Sequence, residues 1–333
     1  MPPAKRLLIL TRDRTNAAFR QRIEPYLPAL AARGIAAEVV ELDEDPWARR
    51  RQWHSAARYD GVLIHRKTLS WWDARTLGRP PHVLYDFDDA VMFQARSPSE
   101  PHAGRLRRFE RTIHRAAAVI AGNPTLADHA RRADARRVEV LPTGLDVRLF
   151  PPRTTYTTSD PLRLVWIGSR STLKQLEPLR PMLEALGRAL PGTSLRIIAD
   201  AALHVQGLSV ENVPWSLADE GRLLAEADIG IAPLPDTPFT RGKCGFKVLQ
   251  YMAAGLPVVT SPVGVNADYV RPGESGFHAA TTDEWLSAVR QLADDTALRE
   301  RLGCAGRVRV EKEFDFAVLA PRFCEVVERA MTP

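Results

Sequence analysis

The stretch Ala227–Pro262, ADIGIAPLPDTPFTRGKCGFKVLQYMAAGLPVVTSP, reads as one strand–helix–strand unit. ADIGIAPL and LPVVTSP are short apolar runs of strand character, and the residues from about Gly245 to Ala254 between them have helical period. Repeats of this alternation make a parallel sheet covered by helices on both faces.

The same alternation extends outward in both directions. LRLVWIGS, SLRIIAD and LSVENVPW precede the unit as further strands. In the first half, Leu7 to Leu10, Ala37 to Leu42, Gly61 to Ile64, His82 to Tyr85, Ala118 to Ala121 and Val138 to Leu141 read as strands. Between them AAFRQRIEPYLPALAARG, PWARRRQWHSAARY, GRLRRFERTIHRAA and TLADHARRA read as helices, with Gly34 as a helix stop. Pro151 to Pro161, PPRTTYTTSDP, breaks the pattern and reads as an interdomain linker. The organisation expected is therefore a first domain over 1–150, a linker over 151–161, a second domain over 162–315 and a C-terminal helix over 316–333 packing back toward the first domain.

At 333 residues and 45% hydrophobic content the chain is long enough for two cores and too apolar for disorder. Its three cysteines, Cys244, Cys304 and Cys324, are too few and scattered for a disulfide framework or a zinc site. No run is long and apolar enough for a signal-peptide core or a bilayer span, so a cytoplasmic protein is expected. Residues 1–150 carry a net charge of +8 and the remainder −2. A basic half suits an acidic polymer or anionic headgroups, as in peripheral association at the inner face of a membrane; an arginine-rich solvated surface is the plainer reading. No nucleic-acid recognition motif accompanies it, and no nucleic-acid partner is expected. Against 40 arginines there are only six lysines, and Lys174, Lys243 and Lys247 fall near loop-to-helix junctions.

If the helix that follows Gly-Lys-Cys-Gly takes Lys243 into its first turn, then Lys243, Lys247 and Gln250 fall within about 60° of one another, opposite Val248, Leu249 and Met252. A cationic stripe at a helix N-terminus favours an anion, and Gly242 and Gly245 admit a phosphate to the backbone. Solvated surface lysines are the alternative. WIGSRSTLK, Trp166 to Lys174, is a second strand–turn–helix junction, where Gly168 and Ser169 give backbone access and Arg170 and Lys174 bracket a diphosphate or form an ordinary surface pair. Neither a Walker loop nor a Gly-x-Gly-x-x-Gly turn follows any strand. YDFDDAVMF places Asp86, Asp88 and Asp89 at a strand end, where carboxylates so close must be solvated, hydrogen-bonded, paired with cations or metal-bound. A pocket wall that accepts polyol hydrogen bonds, or a turn capping the next helix, fits better than a metal site. His65, Asn123 and Thr143 follow strands at the same edge; Trp215 and Val213 could flank a base; Arg12, Arg14 and Arg20 follow the first strand.

Taken together, YDFDDAVMF, VIAGNPTLADHA, LPTGLD, WIGS, the segment from Ala227 to Asn266 and GFHAATTDEWLSAV resemble, in order and over nearly the whole chain, a bacterial glycosyltransferase of family 4 (group 1). The resemblance implies two facing Rossmann-like domains, the GT-B fold, with a cleft between them, and a retaining, metal-independent transfer of a sugar from a nucleotide-diphosphate-sugar, UDP- or GDP-linked, to an acceptor hydroxyl. It implies no prosthetic group, and a glycan or lipid-linked acceptor in glycan, glycolipid or polysaccharide synthesis. Donor phosphates would meet Gly168, Ser169, Arg170, Lys174, Gly242, Lys243, Cys244, Gly245, Phe246 and Lys247; Gln250, Trp215 and Val213 would hold ribose and base. Asp88, Asp89 and Lys243 would be catalytic, with Arg12, Arg14, Arg20, His65 and Asn123 on the acceptor side. Gly242 and Gln250 stand where such enzymes usually carry two glutamates, and Asp88 where many carry a histidine. A noncatalytic nucleotide-sugar-binding module, or an epimerase or hydrolase on the same plan, are the competing readings.

Overall fold

The computed structural model describes residues 5–77, 80, 82–157 and 159–332. The chain divides into two compact units: Met1–Gly144 with Thr237–Cys244 and Phe316–Pro333, and Leu145–Asp236 with Gly245–Asp315.

The first unit is built on six parallel strands, β1 (Lys5–Thr11), β2 (Ile35–Glu41), β3 (Gly61–His65), β4 (Val83–Phe87), β5 (Ala118–Ala121) and β6 (Val138–Val140). Their order in the sheet is β2-β1-β3-β4-β5-β6. Successive residues of a strand point to opposite faces, and β1 shows the result: Leu8 and Leu10 join one core with Trp53, Tyr85 and Phe109, while Leu7 and Ile9 join the other with Phe19, Tyr26 and Phe323. The stretch from Ala17 to Ala32, expected as one helix, is Ala17–Arg22, a 3-10 turn Glu24–Tyr26 and Leu27–Ala32. Pro25 and Pro28 remove the amide donors a continuous helix would need. The helix Phe316–Ala330 closes one face, stacking Phe323 on Tyr26 with centroids 4.7 Å apart.

In the second unit the strands are β7 (Leu162–Ile167), β8 (Thr193–Ile198), β9 (Ser209–Val213), β10 (Ile229–Ala232), β11 (Val258–Thr260) and β12 (Gly276–His278), ordered β12-β11-β10-β7-β8-β9 and parallel throughout. Leu164 and Trp166 enter one core and Val165 and Ile167 the other, so this sheet too is buried on both faces. The opening stretch supplies β10, the helix Phe246–Ala253 and β11.

Two boundaries differ from the expectation. The segment 151–161, read from its Pro, Thr and Ser content as a linker, packs on the second unit, and the chain passes between units at Gly144–Leu145. Its anchor is Asp228, fully buried, which accepts from the Arg153 guanidinium at 2.7 Å and the Arg163 amide at 2.8 Å. Tyr156 adds a hydroxyl donated to the Gly255 carbonyl at 2.8 Å. The second difference is Thr237–Cys244, which lies inside the C-terminal half of the sequence but folds with the first unit.

Among the described residues no helix is long and apolar enough to cross a membrane.

Removing the buried Asp228 carboxylate leaves the Arg153 charge and the Arg163 amide without their acceptor. Asp228→Ala is expected to cost about 3–5 kcal/mol, read as a lowered urea midpoint, and to open the Arg153–Thr154 bond to trypsin. A segment equally resistant in both proteins would contradict this anchoring role.

Candidate functional site

In a parallel sheet every carboxyl end lies along one edge, and a crevice opens where consecutive connections leave in opposite directions. In the first unit that point lies between β1 and β3. Thr11 ends β1 and His65 ends β3, with Oγ1 and Nδ1 3.1 Å apart. Asp86, on the adjoining β4 and fully buried, accepts from Arg22 Nη2 through Oδ1 at 2.6 Å and from a bifurcated Nε through Oδ2 at 3.0 Å and Oδ1 at 3.2 Å. Arg22 also donates to the Leu141 carbonyl at 3.0 Å and approaches Thr143 Oγ1 at 3.4 Å. Burial disfavours the guanidinium charge, but Asp86 outweighs it and Arg22 stays protonated. His65 is pushed the other way: burial lowers its pKa despite Asp86 at 3.9 Å, so the ring is neutral near pH 7.

Beyond β4 the chain turns through Asp88 and Asp89. Arg66 reaches both, its Nε 3.1 Å from Asp88 Oδ1 and its Nη2 3.4 Å from Asp89 Oδ2. Burial tends to raise the Asp88 carboxyl, but Arg66, with Arg22 and His65, holds it below the ordinary carboxylate value. Asp89 accepts from Lys243 Nζ at 3.1 Å, and that ammonium also lies 4.4 Å from the centre of the Phe239 ring.

The segment carrying Lys243 is fixed by Asn123. Its Oδ1 caps the helix Pro124–Arg132 through the Leu126 amide at 2.8 Å, while its Nδ2 donates to the Gly242 and Lys243 carbonyls at 3.0 and 3.2 Å. Cys244 donates its thiol to the Asp88 carbonyl at 2.8 Å. A Cβ at Gly242 would lie 2.8 Å from that of Ala90 and 3.2 Å from Leu126, so this position has no room for a side chain.

These contacts correct the single lysine stripe expected from helical geometry. The helix begins at Phe246, after Gly245 in the left-handed region at φ 62°, and Lys243 precedes it. Lys243 belongs to the first unit with Asp89, and Lys247 to the second.

The second unit has its own crevice, between β7 and β10. Lys247 in the first turn of Phe246–Ala253 places Nζ 4.8 Å from the Trp166 ring centre, above the turn that follows β7. A Cβ at Gly168 would stand 2.9 Å from that Nζ and 2.5 Å from the Trp166 ring. Ser169 caps a four-residue helix, Arg170–Leu173. Arg170 is exposed and turned to Asp200, donating to its carbonyl at 2.8 Å; Lys174 is exposed at the start of a 3-10 turn. Gln250 is buried on the helix of Lys247. Val213 ends β9, the edge strand two places from β7, and Trp215 follows it, half-exposed with its indole N–H donated to Glu220 at 2.7 Å. Arg12 and Arg14 are exposed on the loop after β1, and Arg20 is partly buried on Ala17–Arg22.

Sequence reasoning missed Arg22, Arg66, Thr11 and the Trp166 ring. Arg22 had a signal: it recurs at helical spacing after Ala18 and Phe19 and so falls on the buried face. Arg66, directly after a strand, had none beyond its place beside His65.

Residues 158–295 match the family model described as Glycosyl transferases group 1. Across solved structures, sucrose-phosphate synthase from Thermosynechococcus elongatus superposes with a TM-score of 0.75 at 16% identity, covering 98% of each chain. The Anabaena protein Alr3699/HepE in complex with UDP and glucose also gives 0.75, at 17% identity over 98% of this chain and 100% of that one. The fold is GT-B. Among curated proteins, glycogen synthase of Mycobacterium tuberculosis is 29% identical over 203 residues, 57% of this chain and 48% of that enzyme. D-inositol 3-phosphate glycosyltransferase of Nocardioides sp. is 26% identical over 283 residues, 75% of this chain and 61% of that enzyme. The chain spans about half the length of the glycogen synthase it matches.

The three cysteines provide a chemical check on this GT-B chain. Burial, with Asp88 nearby, pushes the Cys244 thiol up to about 12, and Cys324 is also buried while Cys304 is exposed. Cys244 is therefore held as the neutral, unreactive thiol at pH 8. Ellman's reagent at pH 8 is expected to titrate Cys304 rapidly in the native protein and all three thiols after denaturation; rapid labelling of Cys244 in the native state would contradict the burial.

Proposed function

We propose that the chain is a retaining glycosyltransferase that moves a sugar from a nucleotide-diphosphate-sugar to an acceptor hydroxyl without a metal. The observation that carries this reading is Lys247 held over Gly168 at the crevice of the second unit, at the N-terminus of Phe246–Ala253. A departing nucleoside diphosphate gathers negative charge as the sugar–phosphate bond breaks. A fixed ammonium, a helix N-terminus and a turn without a side chain are what stabilise such charge. UDP is the nucleotide favoured, because the similar Anabaena structures hold UDP or UDP-glucose.

In this reading the second unit takes the donor. Gly168, Ser169, Gly245, Phe246 and Lys247 meet the diphosphate, and Arg170 and Lys174 lie at the rim. Gln250 serves the ribose through neutral hydrogen bonds, with Val213 and Trp215 toward the base. The first unit takes the acceptor, a glycan or lipid-linked sugar, along the edge formed by His65, Asn123 and the carboxylates, with Arg12, Arg14 and Arg20 around it. Asp88 and Asp89 orient the acceptor hydroxyl or balance positive charge at the sugar carbon, and Lys243 is held ready by Asp89. Gly242 contributes backbone alone, since packing against Ala90 leaves no space for a carboxylate.

Losing a charged phosphate contact costs roughly tenfold or more in affinity. Lys247→Ala is expected to weaken UDP binding by that factor in calorimetry, and Gly168→Val, which drives a side chain into Lys247 and Trp166, to weaken it as strongly. UDP and GDP bound equally well by wild type and both variants would sink the assignment of the diphosphate to this turn. Lys243→Ala is expected to lower turnover at least tenfold, a loss of the size a charged contact confers.

A further inference from the structure

Arg66 occupies a backbone conformation that side-chain-bearing residues seldom adopt. Its φ is 57°, and the Lys67 amide donates to the His65 carbonyl at 2.7 Å, closing a γ-turn of the rare left-handed form centred on Arg66. The Arg66 amide itself donates to the Asp86 carbonyl at 2.7 Å, which pins the turn to the end of β4. Strain held in place at the carboxyl edge of a sheet points to a positioning task.

What the turn positions is the guanidinium. Arg66 Nε lies 3.1 Å from Asp88 Oδ1 as an ion pair without hydrogen-bond alignment, and Nη2 donates to Asp89 Oδ2 at 3.4 Å, so one planar group spans two neighbouring carboxylates. The two acids differ in their other partners. Asp89 is shared with Lys243 and, through its Oδ1, with the Ala90 amide at 2.9 Å. Asp88 has Arg66 as its ion-pair partner among the described residues, and its carbonyl takes the Cys244 thiol.

We propose that Arg66 is a positioning residue that holds Asp88 as the ionised carboxylate serving the reaction and leaves Asp89 to tether Lys243. This rests on the glycosyl-transfer reading of the site. It divides two adjacent acids that the sequence leaves equivalent.

The charged groups facing Asp88 set the sign of its pH dependence. Arg66 follows β3, His65 ends it, Arg22 comes from Ala17–Arg22, Asp86 lies two residues before Asp88 and Asp89 directly after it, and Cys244 comes from the Thr237–Cys244 segment. Because the folded value lies below the ordinary 3.8, the carboxylate's contribution is complete above that pH and is lost as pH falls through the lower folded value. Without Arg66 burial dominates, and the titration moves upward.

The test is a carboxyl-carbon NMR titration of aspartate-labelled wild type, Arg66→Gln and Arg66→Lys, with Asp88→Asn to assign the resonance. Nucleotide release from UDP-glucose, UDP-N-acetylglucosamine and GDP-mannose is followed across pH in the same proteins. The Asp88 midpoint is expected below 3.8 in wild type and above it in Arg66→Gln, with Arg66→Lys between. The acid limb of release should move up in parallel, turnover should fall about tenfold or more, and donor KM should stay within about twofold. Asp89→Asn should leave the acid limb in place. An Asp88 midpoint unmoved by Arg66→Gln overturns the clamp. A shifted midpoint with no nucleotide release by wild type overturns the catalytic assignment and the glycosyl-transfer reading, while the clamp stands.

Discussion

Parallel pairing is the constraint on which the rest of the structure depends. When every strand runs the same way, each returns through a helix, all carboxyl ends gather at one edge, and the two sheet faces must both be covered. The alternating assignment of Leu7 to Leu10 to opposite cores, and of Leu164 to Ile167 in the second unit, is that requirement expressed side chain by side chain. The same rule puts Thr11, His65, Asp88 and Asn123 along one edge and Gly168 along the other unit's corresponding edge. Each sheet also reverses its direction of growth once, between β1 and β3 and between β7 and β10, and the polar groups concentrate there.

Electrostatics then decides what those edges can hold. Three aspartates near the end of β4 would repel one another if left alone. Each has a cation of its own or in common: Arg22 for Asp86, Arg66 for Asp88, Arg66 with Lys243 for Asp89. The Arg22–Asp86 pair is wholly buried and further hydrogen-bonded to the Leu141 carbonyl, which makes it a fixed support. Asp88 and Asp89 retain partial exposure and are the outer members of this graded series.

The sequence carried most of the architecture. Periodicity located eleven of the strands within a few residues, because the central strands, buried on both faces, are largely apolar and alternate with longer segments of helical period. The short β12 escaped, since Gly276–His278 holds one strongly apolar residue where the equally short β6 and β11 each carry two valines. Gly168, Asp88 and Asn123 were legible as candidates because they follow strands, and Lys247 because lysine is scarce here and this one lies at a loop-to-helix junction. Arg22 was marked only by its helical spacing after Ala18 and Phe19, and Arg66 by nothing beyond its place beside His65, as arginine is common here.

Two features lay beyond the sequence for a physical reason. Gly245 was visible as a glycine, but not its left-handed conformation directly before Phe246–Ala253, where a side chain would collide with Tyr269 and Asn266. That placement separates Lys243 from Lys247, residues that four positions of helical spacing would have joined. The Thr237–Cys244 segment is likewise assigned to the first unit by hydrogen bonds from Asn123, more than a hundred residues earlier in the chain. Local sequence thus determined the strands, the helices and the edge where chemistry belongs. Tertiary structure decided which cation meets which carboxylate, because such pairings join residues far apart in the chain and carry no periodic signature.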